Sequence, residues 1–232
     1  MLYFPLQYAY LSLGGTLLFV WLVIFLFDKE RRAQQLVISL VLGLISPISE
    51  LIYIPDYWHP VTIWAFHVGK SYISLEDFLF GFAFIGIMSA VPGLIIPEYS
   101  KRHPVSWAAM AKIVVVGAVI LFLSTLLWFA GLNSIYASSV AVLIVTGTFL
   151  VKDQRRDLLT LAAVGAFGML ALMFFLYWVG SLLASNFEEM LRAVWTLYGT
   201  PLGIRFLGLP VTELIFAFSF GSISMLFAKY RV

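Results

Sequence analysis

Of the 232 residues, 62% are hydrophobic and 11% charged, less than half the roughly 25% charge of an ordinary soluble domain, so the chain is expected in a membrane. The formal charge of +2 is spread over short loops and forms no basic stripe, which excludes a nucleic-acid footprint. The absence of cysteine excludes disulfides, thiolate metal sites and cysteine catalysis.

A hydrocarbon core about 30 Å thick needs roughly 20 apolar residues of helix. Seven runs meet that length, at about 6–27, 33–54, 74–96, 107–130, 134–151, 158–184 and 210–228. The first exceeds the about 7–15 residues of a signal-peptide core and lacks a positive flank, so it reads as a retained span. The sixth is overlong and expected to tilt. Pro47 and Pro92 fall inside spans, where kinks are expected.

The loops fix an orientation. Lys29, Arg31, Arg32, Lys101, Arg102, Lys112, Lys152, Arg155, Arg156, Lys229 and Arg231 fall on one side, and Lys70, Arg192 and Arg205 on the other. Eleven against three is a positive-inside bias that predicts a multi-pass cell-membrane protein with its N-terminus outside and its C-terminus cytoplasmic.

Two longer outer segments stand out. The first, about 55–73, contains Asp56-Tyr57-Trp58-His59-Pro60, then Trp64, His67 and Gly69. The second, about 185–209, opens Ser185-Asn186-Phe187-Glu188, a capping-box pattern. Phe187, Leu191, Val194, Trp195 and Tyr198 follow at helical spacing and predict a short interfacial helix over 187–198. Gly199, Pro201, Gly203 and Gly208 then break the pattern. Trp58, Trp64 and Trp195 suit an interfacial aromatic belt. His59 and His67 near Asp56 carry only a weak metal signal and read as solvated loop residues. Asp153 and Asp157, mixed with Lys152, Arg155 and Arg156, read as a solvated loop rather than half of a magnesium site.

Each long segment leads into the same kind of helix. Ser74-Leu75-Glu76-Asp77-Phe78-Leu79-Phe80-Gly81-Phe82-Ala83-Phe84 is echoed by Pro210-Val211-Thr212-Glu213-Leu214-Ile215-Phe216-Ala217-Phe218-Ser219-Phe220. Positions i, i+3 and i+7 share a helix face, so Asp77, Phe80 and Phe84 form one stripe and Glu213, Phe216 and Phe220 another. The expected fold is therefore an all-α membrane protein with seven transmembrane helices, in one domain over 1–232. Two parallel three-helix repeats, about 1–104 and 132–232, are joined by a central helix at about 105–131.

Acidic residues in a span are costly and point to function; here they are Glu50, Glu76, Asp77 and Glu213. Ser74-x-x-Asp77 also fits a helix cap, as does Pro210 at a first turn, and Glu50 fits either a site or the interface. A carboxyl sheltered from water can donate a proton to an apolar substrate while a second accepts one elsewhere. Phe rings can stabilise an intermediate cation with their negative faces.

At these residues the chain resembles the lycopene cyclase domain family, small integral-membrane carotenoid cyclases. Their hallmark is a proline-x-acid-acid sequence opening an aromatic-rich helix once per half. Ser74 stands where the first half has proline, and Thr212 where the second has its first acid. Asp56-Tyr57-Trp58-x-Pro60 and the approach from Trp195 to Gly208 are similar too. The resemblance implies conversion of the open ψ-ends of lycopene to β-rings, through γ-carotene to β-carotene, without metal or other cofactor. It implies catalysis by Glu76, Asp77 and Glu213. It places Phe80, Phe84, Phe216, Phe220, Trp195 and Glu50 against a lipophilic carotenoid substrate, in a protein embedded in membrane lipid, and leaves the oligomeric state open. The competing expectations are a non-catalytic carotenoid-binding scaffold and a small-solute transporter. A retinal-binding photoreceptor needs a lysine deep in the last helix, where the chain has only Lys229 at the end.

Overall fold

The computed structural model describes residues 3–99 and 105–230. Lys101, Arg102 and Arg231, three of the basic residues behind the predicted orientation, lie outside the described residues.

Seven helical stretches are long and apolar enough to cross a membrane: Leu6–Phe27, Arg32–Tyr53, Leu75–Ile95, Trp107–Phe129, Ser134–Asp153, Arg156–Leu183 and Val211–Tyr230. The chain is an all-α, multi-pass membrane protein, and its spans fall within about two residues of the predicted ones, as continuous apolar runs of this length require.

In chain order the helices are α1 (Ala9–Phe27), α2 (Arg32–Ile45), α3 (Glu50–Tyr53), α4 (Leu75–Ile95), α5 (Trp107–Phe129), α6 (Ser134–Asp153), α7 (Arg156–Leu183), α8 (Phe187–Val194), α9 (Val211–Ser222) and α10 (Met225–Tyr230). Pro47 acts as expected. Its missing N–H ends α2, and a 3-10 turn, Ser46–Ser49, leads into α3. Pro92 lies in the last turns of α4, which runs on through it to Ile95. The 28 residues of α7 make a rod of about 42 Å, longer than the hydrocarbon core.

Two β-hairpins interrupt the helical pattern. Strands β1 (Ala65–Val68) and β2 (Ser71–Ser74) pair antiparallel with Phe66 opposite Ile73, turning at Gly69, whose φ is 63°. Strands β3 (Arg205–Phe206) and β4 (Leu209–Pro210) pair with Phe206 opposite Leu209, turning at Leu207 and Gly208 with φ of 51° and 83°. One hairpin delivers the chain into α4 and the other into α9. The segments before them also pair. Trp58 forms an antiparallel bridge with Trp195, His59 N donates to Val194 O at 2.7 Å, and Thr196 N to Tyr57 O at 3.0 Å. This bridge corrects one expectation. The helix predicted over 187–198 stops at Val194, because Trp195 is taken into extended pairing.

Helix α4 packs between α1 and α2, which barely touch, and α9 packs between α6 and α7 in the same way. Contact of α4 with α7 joins the two groups, and α5 lies on α6. Close approach depends on glycine. A Cβ on Gly43 would lie 2.9 Å from Phe82 Cα, and one on Gly221 2.4 Å from Gly165 O. Such contacts let helix backbones meet where lipid supplies no hydrophobic drive.

Candidate active site

The acids at the hairpin end can be followed one at a time. Ser74 caps α4: its Oγ accepts from Asp77 N at 3.1 Å, and its own N donates to Asp77 Oδ2 at 2.6 Å. The cap that Ser74-x-x-Asp77 fits is thus a capping box, whereas the pattern at Ser185–Glu188 does not form one: the N-cap of α8 is Asn186, without a side-chain cap hydrogen bond. The other oxygen, Asp77 Oδ1, accepts from Tyr10 Oη at 2.9 Å. Asp77 is buried and still lines a cavity.

Glu76 faces elsewhere. Its Oε1 accepts from Ile63 N at 2.7 Å, which ties down the loop before β1. Its Oε2 is buried without a partner, and neither cavity described below is walled by it. Neighbouring residues on a helix point about 100° apart, so Glu76 and Asp77 do not serve one face.

Glu50 opens α3 and is buried; its Oε2 accepts from Trp58 Nε1 at 3.0 Å. It lines the cavity with Asp77. Glu50 is 8% exposed and turns inward rather than to the surface. Glu213, in the first turn of α9, accepts a hydrogen bond from Tyr57 Oη and faces Tyr177. Thr212, fully buried, lies 3.2 Å from the same Tyr57 hydroxyl. Burial, then the Glu213 charge, pushes the Tyr57 phenol well above its ordinary value, so it stays protonated and serves as a donor.

Below the acids the two aromatic stripes meet. Phe80 stacks on Phe84 at 5.6 Å between centroids, Phe84 lies 5.4 Å from Phe216, and Phe216 4.3 Å from Phe220. These four rings, with Glu50 and Asp77, line a cavity of about 420 Å³ whose other walls come mainly from α5, with the turn Ser46–Ser49 and the rest of α4. Glu213 opens instead into an adjacent cavity of about 270 Å³, with Tyr10, Trp58, Tyr177 and Trp195. Tyr10 and Trp58 touch edge to face at 4.6 Å. Each sends its polar atom to an acid of the first cavity, Tyr10 to Asp77 and Trp58 to Glu50.

Several expectations change here. The acids are divided: Glu50 and Asp77 line the first cavity, Glu213 lines the second, and Glu76 lines neither. Trp195 is 4% exposed, a cavity wall rather than a belt residue, whereas Trp64 is 71% exposed. His59 and His67 are exposed. Asp56 instead binds the start of α6 through Ser134 Oγ at 2.5 Å and the end of α5 through Trp128 Nε1 at 3.0 Å. Asp153 pairs with Lys229 and Asp157 with Arg155. Among the described residues, no three His, Asp or Glu side chains converge as metal ligands. The phenols of Tyr10, Tyr57 and Tyr177 were not foreseen.

Comparison with family models, with curated proteins and with solved structures finds no match.

Proposed function

We propose that the chain is a carotenoid cyclase of the kind its acid-aromatic helices resemble, forming β-rings at the ψ-ends of lycopene. The observation that carries this reading is the first cavity. Two buried carboxyls, Glu50 and Asp77, stand at one end, and four Phe rings drawn from α4 and α9 lie beside them. A terminal double bond takes a proton, which leaves a tertiary carbocation. The neighbouring double bond attacks it and closes the ring, which moves the charge to a second tertiary carbon. Loss of a ring proton restores neutrality, so the product is an isomer of the substrate. Both oxygens of Asp77 already accept hydrogen bonds, which suits the proton acceptor. Glu50 has one oxygen engaged by Trp58 and one free to carry the donated proton. The Phe faces stabilise the passing charge, and the apolar walls keep out water that would trap it. In this reading Glu213, with Tyr57, stands at the far side of the Tyr10–Trp58 partition. Glu76 holds the loop and handles no proton.

The repeat arrangement belongs to the same proposal. Each triplet places its third helix between the other two, and each is led in by a hairpin. The Trp58–Trp195 bridge joins the segments that precede the two hairpins. With the basic loops inside, the hairpin end and its acids face outward.

Expression in a lycopene-accumulating host, with pigments separated by chromatography, tests the activity. The wild type is expected to yield cyclised pigment, and Glu50→Gln and Asp77→Asn to leave lycopene unconverted while the protein still inserts. Full conversion by both variants removes the acid–base role. One observation favours a second reading, a non-catalytic pigment scaffold: the Asp77 carboxylate is fully used in capping and in its bond to Tyr10. Lycopene copurifying unchanged with the wild type selects that reading.

A further inference from the structure

The end of the bundle away from the hairpins carries a polar pocket that ring closure does not use. It lies where α2 begins and α4 ends, has a volume of about 120 Å³, and its walls include Arg31, Gln34, Gln35, Ser89, Gly93 and Glu98. Arg31 is the N-cap of α2 and Gln34 its third residue; they are 8% and 5% exposed. The Arg31 guanidinium is half used. Its Nη2 donates to Asp28 and, at 3.1 Å, to Ala90 O. Its Nη1 lies against Gly93, where a Cβ would come within 1.9 Å of it. Among the described residues, neither Arg31 Nη1 nor the Gln34 amide has a hydrogen-bond partner, and neither is sealed off as Arg31 Nε is. Helix α2 has no side-chain cap, so its first N–H groups and its dipole also favour an anionic oxygen.

A phosphate oxygen accepts from all of these donors. A simple anion still fits poorly. Asp28 already answers the Arg31 charge, and the exposed Glu98 adds a negative one to the wall. A group that carries its own cation brings no net charge, and an ammonium supplies N–H donors for the Glu98 carboxylate. We propose that this pocket binds the phosphoethanolamine headgroup of a membrane lipid, with its phosphate on Arg31 and Gln34 and its ammonium on Glu98. The volume admits a headgroup and not a polyene. Helix α4 runs on from Gly93 into Leu94 and Ile95, at least half exposed, which offer acyl chains an apolar surface. The site shares no acid with the first two cavities and stands whether or not the chain closes rings.

The test is native mass spectrometry of the full chain in detergent, titrated with short-chain phosphatidylethanolamine, phosphatidylcholine and phosphatidylglycerol. Choline carries the charge without an N–H, and glycerol has neither. One ethanolamine lipid is expected to bind about fivefold more tightly than the other two, the upper range for an ion pair at a surface. Gln34→Leu removes an amide that no internal contact uses and is expected to weaken that binding about tenfold, the scale of a hydrogen bond to a charged group. Glu98→Gln is expected to erase the preference over the choline lipid, and Glu30→Gln, an exposed acid outside the pocket, to leave it unchanged. Equal wild-type affinities for the three lipids overturn the proposal, as does an unchanged affinity in Gln34→Leu. Free phosphoethanolamine binding as tightly as the lipid assigns the pocket to a soluble compound and overturns it too. The wild-type comparison decides the matter even where a variant does not fold.

Discussion

Asp77 is both a helix cap and a cavity acid, and the two roles separate experimentally. Ser74→Ala removes one acceptor, the Oγ that Asp77 N reaches at 3.1 Å, and costs about 1 kcal/mol as a lost N-cap. Asp77→Asn keeps the shape but leaves a single acceptor oxygen for two donors, Ser74 N at 2.6 Å and Tyr10 Oη at 2.9 Å. Its amide turns N–H groups toward one of them, and a buried donor left without an acceptor costs about 1–3 kcal/mol. For a chain of this size each kcal/mol moves the unfolding midpoint by roughly 2–4 °C. Thermal unfolding in micelles should therefore fall by about 2–4 °C for Ser74→Ala and by about 2–12 °C for Asp77→Asn. Pigment conversion in cells should persist in the first and vanish in the second. If both variants lose conversion in step with their loss of stability, Asp77 is a cap and nothing more.

Glycine packing and loop charge offer two simpler checks. A Cβ at Gly221 would lie 2.4 Å from Gly165 O and 2.9 Å from Ala166 Cα, both backbone, whereas nothing lies within 4 Å of one at Gly15. Gly221→Ala should lower the unfolding midpoint by the equivalent of about 1–3 kcal/mol, and Gly15→Ala should raise it slightly as a better helix former; the same sign for both would refute the contact. At the second hairpin the Arg205 guanidinium, then the Tyr198 hydroxyl, hold the Glu188 carboxyl at about 2, below the roughly 4.3 of a free Glu. The depressed value means that this tie is intact above pH about 4.3 and is lost as pH falls through about 2. Amide exchange at Gly208 should accelerate across that window in the wild type, and Glu188→Gln should show the faster rate already at neutral pH.

What the sequence disclosed depended on whether the interaction was local. The spans and the two aromatic stripes rest on repeating spacing, and Phe80, Phe84, Phe216 and Phe220 do meet. The capping box is a contact across three positions and was legible for the same reason. The hairpins were not, because β1 is exposed along its length and β3 and β4 have two residues each, too little for an alternating pattern. The overrun of the predicted helix past Val194 has a related cause. Trp195 and Tyr198 continue a helical spacing, but the competing partner of Trp195 is Trp58, far away in the chain. Glu76 could have been separated from Asp77 beforehand, since adjacent helical positions do not share a face. Tyr10 with Asp77 and Tyr57 with Glu213 are 67 and 156 residues apart, and no periodicity encodes such pairs.

The choice of partners for the acids bears on what the acids are for. Four carboxylates are answered by cations: Asp28 pairs with Arg31, Asp153 with Lys229, Asp157 with Arg155 and Glu188 with Arg205, while Asp56 and Glu76, which also tie segments together, take neutral donors. Glu50, Asp77 and Glu213 are answered by an indole and two phenols, and neither cavity has a Lys or Arg in its wall. An aromatic donor brings a single polar atom on a large apolar body, so it orients a carboxyl without adding charge. A cation in the same place would hold the carboxylate ionised and would repel a carbocation forming beside it. Neutral donors leave both the proton and the positive charge of an intermediate free to move, and proton transfer to a hydrocarbon needs that freedom.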